Sequence, residues 1–467
     1  MGSEWPTVQL EQIATVIDSR HKTPEYCDHG YPMVRVVDVK GGELTLEETK
    51  RVSEDVYIDF SKGRDPEIGD LIISRVGSYG NVSFVSSNDK FCLGQNTALI
   101  IPEDKNRFLY YALTSPQLKR QIDDMAVGAV QKTISLKSIK GLEIPQPPIA
   151  IREKISSYLS ALDNKITLNR QINQTLEQMA QTLFKSWFVD FDPVMDNALD
   201  AGNPIPDELQ HRAEARKAVR ESEGFKPLPD DVRQLFPDAF EESELGWVPK
   251  GWPIQTIKDI AVVTDFVANG SFAALKENVT LFDEPEHALY VRTTDFKSGF
   301  DSAKAKYVDK KSYEFLSKSK LLGDEVIISN VGDVGTVFRP PVWLDLPMTL
   351  GSNAISVSAS ELNNYLYFHF SSHKGQKSID GIVSGSAQQK FNKTGFRALT
   401  LVTPDADVIE AFNNRYNPLM LKAISNERNI ILMTKLRDTL LPKLISGELR
   451  LDEVELAVEQ EAVSAEQ

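Results

Sequence analysis

Two stretches of this 467-residue chain carry side chains able to grip a polyanion. Lys304, Lys306, Lys310, Lys311, Lys318 and Lys320 lie close together, interrupted by Tyr307, Tyr313 and Phe315. That composition suits phosphate contact with aromatic support, although a plain lysine-rich helix surface would look the same. The first part of the chain offers His21 and Lys22 beside Arg20, then Arg35, Lys40, Arg64 and Arg75, with Lys132, Lys137 and Lys140 beyond. Arginine and lysine suit the major-groove acceptors of guanine, whereas asparagine and glutamine suit adenine. Two positions exchange one chemistry for the other beside a turn: Arg75 stands against Asn330, and Lys132 against Gln389. Gln131, Arg292, Lys297, Gln388 and Lys390 complete the candidate set. A scaffold reading two different half-sites would show such exchanges, and so would drift at surface turns.

Catalytic patterns are missing from the sequence. There is no GxxxxGK[ST] loop, no glycine-rich fingerprint opening a helix, and no Asp/Asn-Pro-Pro-Tyr/Phe segment that would hold a flipped base. Gly77-x-x-Gly80 and Gly332-x-x-Gly335 follow strands without a following helix and read as tight turns. His369 and His373 have metal spacing but no third ligand of suitable type, and read as exposed histidines. Cys27 and Cys92 lack CxxC partners, which argues against a disulfide or a zinc site. What remains is binding.

The candidates must be held by something, and the chain specifies it twice. At one constant offset of 257, Val34-Arg35 returns as Val291-Arg292, Asp38 as Asp295, Lys40 as Lys297, and Leu93-Gly94-x-Asn96 as Leu350-Gly351-x-Asn353. Gly128-x-x-Gln131 returns as Gly385-x-x-Gln388, and Thr182-Leu183 as Thr439-Leu440. A tandem duplication predicts two similar domains in a pseudo-two-fold arrangement. Each reads as mixed and β-rich, with short apolar runs such as Leu71–Ser74 and Glu325–Ser329 ended by glycine turns, and one short helix around 107–124 and 361–379.

A longer helical pattern follows each domain. Ile155, Tyr158 or Leu159, Leu162, Ile166, Asn169, Asn173, Leu176, Ala180, Leu183 and Trp187 alternate by four and three, as do Phe412, Tyr416, Leu419, Ala423, Asn426, Ile430, Met433, Arg437, Leu440 and Leu444. A period of 3.5 over about five heptads is a coiled-coil seam, and ~38 residues make a rod of roughly 55–60 Å. Antiparallel pairing would bring Asn169 and Asn426 together at mid-helix, where a buried pair fixes register; solvated positions on an imperfect seam are the alternative.

Net charge is −15, but 196–245 carry 13 acidic and 6 basic residues and 448–467 carry 7 and 1, so thirteen of the excess negatives lie outside the domains. The connector, with one apparent helix from Asp207 to Ser222, reads as a solvated acidic surface or as one that repels DNA from the wrong face. No apolar run approaches the roughly 18 residues of a membrane span, and the N-terminus lacks signal-peptide features, so a cytoplasmic protein is expected.

Several segments resemble the specificity subunit of type I restriction-modification systems. They are Gly128–Pro148, Leu162-Asp-Asn-Lys-Ile166, Leu183-Phe-Lys-Ser-Trp-Phe-Val-Asp-Phe-Asp-Pro193 and Leu440-Leu-Pro-Lys-Leu-Ile-Ser-Gly-Glu-Leu449. The second helix opening, Asp405 to Pro418, departs from the pattern. The resemblance implies an α+β chain: target recognition domains at 1–148 and 246–404, helical spacers at 149–193 and 405–450, an acidic connector at 194–245 and an acidic tail at 451–467. Two long antiparallel coiled-coil helices would separate the domains. It implies a non-catalytic subunit that binds double-stranded DNA at a bipartite, asymmetric target with an unread spacer. Two modification methyltransferase subunits would dock on it, and motor-nuclease restriction subunits would join. S-adenosylmethionine, ATP and Mg are implied in those partners, with no cofactor or metal in this chain. Helix pairing and partner docking would use Leu162, Ile166, Asn169, Leu176, Leu183, Trp187, Phe188, Leu419, Asn426, Met433, Leu440 and Leu444. A coiled-coil adaptor between two protein partners, with no DNA binding, is the competing class, and a self-sufficient enzyme a third.

Overall fold

The computed structural model describes residues 5–61, 64–129, 131–385 and 388–449; the expected acidic tail at 451–467 lies outside them. The chain divides into two compact units, 1–169 with 429–467, and 170–428. Each unit therefore holds one globular domain, the opening of the long helix that follows it, and the closing stretch of the other long helix.

In the first unit, the chemistry of Leu71–Ser74 sets the layers. Leu71 and Ile73 face one core, with Phe108, Tyr111 and Ile155, while Ile72 between them faces another, with Val34, Val85 and Phe91. A strand buried on both faces has no polar side to show, hence the unbroken apolar run. It sits centrally in a sheet ordered Ala14–Asp18, Thr97–Pro102, Leu71–Ser74, Val82–Phe84 and Gly42–Glu43, antiparallel except for the last pair. A second sheet of three short strands, Lys50–Val52, Tyr31–Val34 and Cys92–Leu93, lies on the Ile72 side.

The second unit repeats the plan. Val326 and Ile328 enter the core shared with the helices, and Ile327 the core with Leu289, Phe338 and Leu350. Val262–Asp265, Ala354–Ser358, Val326–Ser329 and Val337–Phe338 form one sheet, and five short strands centred on Ala288–Val291 the other.

The single helix expected in each domain is two. Phe108–Thr114 and Pro116–Met125 are separated at Ser115, which leaves helical geometry (ψ 150°) and accepts from the Leu118 amide, with proline at the first helical position. Ser372 does the same between Asn363–Ser371 and His373–Asp380, accepting from Gly375. That break also separates His369 from His373: burial pushes the former down to about 4, and only the latter is exposed. Among the described residues no group of His, Cys, Asp or Glu could hold a metal ion.

The connector is built, not merely solvated. It forms helices Asp192–Ala201, Gln210–Glu221 and Asp230–Arg233 and a hairpin of Phe240–Ser243 with Gly246–Pro249. Arg216 grips Asp196 at 2.9 and 2.6 Å and Arg220 reaches Asp200 at 2.5 Å, so part of its acidity is matched internally. Its Val232 and Phe236 join Phe184, Trp187 and Phe188 in the second unit's core.

The long helices run Ile149–Phe184 and Ala406–Ser446, about 54 and 61 Å at 1.5 Å per residue. The first widens into a π turn, Lys185–Val189, before Phe191 turns left-handed (φ 57°). The seam matches the heptad reading: Ile155, Leu159, Ile166, Ala180 and Trp187 are buried, as are Phe412, Tyr416, Ile430, Leu440 and Leu444. Within the second unit the helices are antiparallel, since Asn173 meets Asn426 and Glu427 whereas Phe184, eleven residues on, meets Phe412. The Asn426 amide donates to Asn173 Oδ1 at 2.8 Å, and Asn173 donates to Glu427 and to the Ala423 carbonyl. Asn426 thus finds a different asparagine from the one expected; Asn169 is buried with its Nδ2 unpartnered. In the first unit Arg437 bonds Asp163 at 2.8 Å, which also accepts from the Tyr111 hydroxyl.

Trp187 is 1% exposed and packs edge-on against Phe236, with Phe412 beside it. Trp187→Ala is expected to cost about 3–5 kcal/mol of unfolding free energy in urea titration.

Candidate nucleic-acid interface

In both units a small hairpin is laid against the turn that leaves the central strand, by the same backbone bonds. In the first, Val127 and Thr133 exchange N–H···O bonds at 2.9 and 2.8 Å, closing residues 128–132 into a loop. Ile134 N then donates to the Arg75 carbonyl (2.9 Å) and Gly77 N to the Lys132 carbonyl (3.2 Å), while Gly80 N returns to Ser74 (2.8 Å). In the second, Ser384 and Lys390 exchange bonds at 2.8 and 2.9 Å, Phe391 N donates to Asn330, Gly332 N to Gln389, and Gly335 N to Ser329.

The glycine that opens each loop has no substitute. Gly128 and Gly385 sit at φ +116° and +97°, and a Cβ on either would come 2.4 Å from the carbonyl oxygen of Gln131 or Gln388. Backbone bonds seat both hairpins, and Gln131, Lys132, Gln388, Gln389 and Lys390 are all exposed. Equivalent positions thus present Gln, Lys, Thr in one unit and Gln, Gln, Lys in the other.

An acid at one strand end anchors a cation in each unit. Asp18 pairs with Ala98 and Asp265 with Ile355, the same register 257 residues apart on the partner strand. Asp18 holds Arg75, whose Nε also donates to the Ile134 carbonyl, and it holds His21 at 2.9 Å. Asp265 holds Lys393 at 2.8 Å instead, and the residue equivalent to Arg75 is the uncharged Asn330. Its Oδ1 is buried with no hydrogen-bond partner.

The repeated Arg-x-x-Asp is a clasp. Arg35 donates to both Asp38 oxygens at 3.0 and 3.1 Å, and Arg292 to both Asp295 oxygens at 3.0 and 2.5 Å. The carboxylate pushes each guanidinium pKa up, so the pair stays charged. Gly94 and Gly351 donate to the Val34 and Val291 carbonyls beside it, at 2.8 Å in each case. These identities serve the fold.

The structure therefore gathers His21, Arg75, Gln131 and Lys132 in the first unit and Asn330, Gln388, Gln389 and Lys390 in the second. Lys297 joins the latter by pairing with Asp333 in the same turn, and Lys22 is exposed beside His21. Lys40, 3.4 Å from Glu48, and Lys137, on the helix Leu136–Lys140, are exposed on other elements. The lysine run is not one helix: Lys304 faces Asp301 at 3.8 Å, Lys306 pairs with Asp283 at a strand edge, Lys310 and Lys311 open Lys310–Phe315, and Lys320 lies over Tyr313.

Of the residues assigned to helix pairing, Ile166, Trp187, Phe188, Leu440 and Leu444 are buried by the chain itself, and Leu162, Leu176, Leu183, Leu419 and Met433 are half-buried. Among the described residues, the large apolar side chains the helices leave exposed are Ile149, Leu168, Met179, Leu421, Ile431 and Leu432, off the heptad positions. Also missed was a cleft of about 500 Å³ in the second unit, lined by Phe266, Phe272, Tyr290 and Asn330 among others. Phe272, 79% exposed at its wall, sits among apolar neighbours in sequence, so nothing local marked it.

Comparison with known proteins bears on what this surface is for. Residues 2–178 match the family described as Type I restriction modification DNA specificity domain. The chain is 26% identical over 400 residues to the type I restriction enzyme HindI specificity subunit of Haemophilus influenzae, covering 79% of this chain and 82% of that one. It is 23% identical over 440 residues to the MjaIX specificity subunit of Methanocaldococcus jannaschii, covering 91% and 90%. In fold it is similar to the S subunit of a type I restriction-modification system from M. genitalium, with a TM-score of 0.56 and 14% identity over 95% of this chain and 96% of that one.

Replacing either loop glycine should free its hairpin without unfolding the unit. In Gly128→Ala the Thr133 amide is expected to lose at least tenfold of its hydrogen-exchange protection, and in Gly385→Ala the Lys390 amide, while the Ile73 and Ile328 amides keep theirs.

Proposed function

We propose, for a chain that belongs to the family of type I restriction-modification specificity subunits, that it reads a bipartite, asymmetric DNA target, one half-site per unit, and leaves the bases between unread. The observation that carries this reading is the pair of backbone-matched hairpins with unlike side chains, Lys132 against Gln389 and Arg75 against Asn330, on one repeated scaffold. Direct readout needs side chains that vary while their anchor points do not, and donors and acceptors at those positions discriminate base pairs in the major groove. Lys132 and Gln131 would serve one half-site, and Gln388, Gln389 and Asn330 the other; His21, Lys22, Lys297 and Lys390 would add phosphate contacts. Arg75, its Nε and Nη1 committed within the chain, would act mainly by holding the turn.

The chain would work without catalytic groups of its own. Two modification subunits would supply S-adenosylmethionine and adenine methylation, and motor-nuclease subunits would bring ATP and Mg. Their docking would use the exposed apolar residues of the helices, Leu168, Met179, Leu421 and Leu432, since the buried seam is already occupied. With no described helix long and apolar enough to cross a membrane, a cytoplasmic complex is the proposed setting.

The test is a map of methylated adenines in the host genome with and without this gene. One interrupted, non-palindromic motif should disappear. Exchanging residues 1–147 for those of another specificity subunit should replace one half of the motif and keep the spacer. Inserting four residues, about one turn, after Arg170 should change the spacer and keep both halves. A motif that ignores both changes would sink the reading.

A further inference from the structure

The two units differ at one edge of the sheet built on the central strand. In the first, Gly42–Glu43 lies parallel to Val82–Phe84 as a fifth strand; in the second the sheet stops at four, with Val337–Phe338 at its edge. Ile72 pairs with Ser83 and Ile327 with Phe338, which makes Arg339 the counterpart of Phe84. The added strand of the first unit is held by two bonds: the Phe84 carbonyl accepts from the Leu44 amide at 2.9 Å, and the Tyr110 hydroxyl from the Gly42 amide at 2.9 Å. Among the described residues, neither the Arg339 carbonyl nor the hydroxyl of Tyr367, which repeats Tyr110 at the offset of 257, has such a donor.

A cleft of about 430 Å³ runs along this open edge, with walls from both faces of the sheet: Tyr367, Tyr416 and Met420 on the helix side, Phe338 and Trp343 on the other. Leu322, 88% exposed, and Phe296, 40% exposed, also line it. Apolar side chains left uncovered around a concavity mark a contact surface. Three carboxylates of the cleft are held by amides alone: Glu427 by Asn173 at 2.7 Å, Asp324 by Asn363 at 3.0 Å and Glu177 by Gln181 at 2.9 Å. The guanidinium of Arg339 lies over the rings of Tyr367 and Tyr416 and donates to Asn364 at 2.7 Å, so it pairs with none of them. The surplus in the cleft is negative, and what complements it is positive. Pro340 and Pro341 end the edge strand, which limits an added strand to a short one, and Gly42–Glu43 is equally short.

We propose that an extended, basic segment of a partner protein adds the missing fifth strand to the Val337–Phe338 edge. Its amides meet the Arg339 carbonyl and the Tyr367 hydroxyl, its apolar side chains rest on Leu322 and Phe296, and a lysine or arginine sits among Glu177, Asp324 and Glu427. Strand addition of this kind draws affinity from main-chain bonds and specificity from alternate side chains. A second copy of this chain suits the edge less, because it would bring three more carboxylates to the same place. The proposal is independent of the DNA-reading role, since none of the candidate base or phosphate contacts lines this cleft.

The experiment uses the full chain and short labelled peptides of alternating lysine and valine, with binding followed by fluorescence anisotropy at fixed salt. The lysine–valine peptide should bind saturably. The same peptide with N-methylated valines, equal in charge but unable to pair as a strand, should bind at least tenfold more weakly, and so should one with glutamate in place of lysine. Tyr367→Phe keeps the ring under Arg339 and removes the hydroxyl, and should weaken binding about fivefold, the worth of one hydrogen bond. Leu322→Ser should weaken it at least twofold with an unchanged melting temperature, because that side chain is largely in solvent. If the lysine–valine peptide does not bind, if its N-methylated form binds as well, or if both variants bind like the parent, the proposal fails. If the parent self-associates in sedimentation and Leu322→Ser does not, a second copy fills the edge and the partner segment is overturned.

Discussion

A carbonyl oxygen that leaves no room for a side chain governs both hairpins. A Cβ at Gly128 or Gly385 would meet the carbonyl oxygen of Gln131 or Gln388, and the backbone bonds that follow seat each hairpin on the turn after the central strand. The position of the loop then depends on groups common to all amino acids. The same backbone bonds form whether the side chains are lysine or glutamine at one position, or threonine or lysine at the next.

The same division between fixed and free residues runs through the rest of each unit. Arg35 with Asp38, and Arg292 with Asp295, are repeated because a bidentate clasp next to a close backbone contact tolerates little else. The strand-end acid is kept while its cation changes from Arg75 to Lys393, and the exchange alters the surface nearby: a guanidinium closes the first unit's turn, and an unmatched amide is left in the second. A half-buried negative charge needs a partner but not a particular one.

Much of this was legible beforehand. The constant offset exposed the duplication, and the heptad positions predicted which helix residues are buried, Ile155 to Trp187 and Phe412 to Leu444. The glycine turns were recognisable because their bonding is local. What escaped was non-local: the likeness of Asp18 and Asp265 is hidden because the segments around them differ in length, and it emerges only from strand register. Asn426 found Asn173, not Asn169, because antiparallel register depends on packing that repeat position does not encode. The helix breaks at Ser115 and Ser372 had a signal, a capping serine before proline in the first copy, that the apolar pattern overrode. The repeated arginines looked like ligand contacts because a charge three residues from its counter-ion reads the same in either role.

Leu440, Leu441, Leu444 and Ile445 complete the core around Phe108, Tyr111 and Leu159. During synthesis those four residues leave the ribosome more than 250 positions after the strands they cover. The amino-terminal unit must therefore wait, with part of its interior open to water, until the end of the second long helix has emerged. Any truncation that spares every proposed DNA contact but removes the last turns of the second helix would leave the first unit's core unfinished, so the second helix acts as a checkpoint on the first unit.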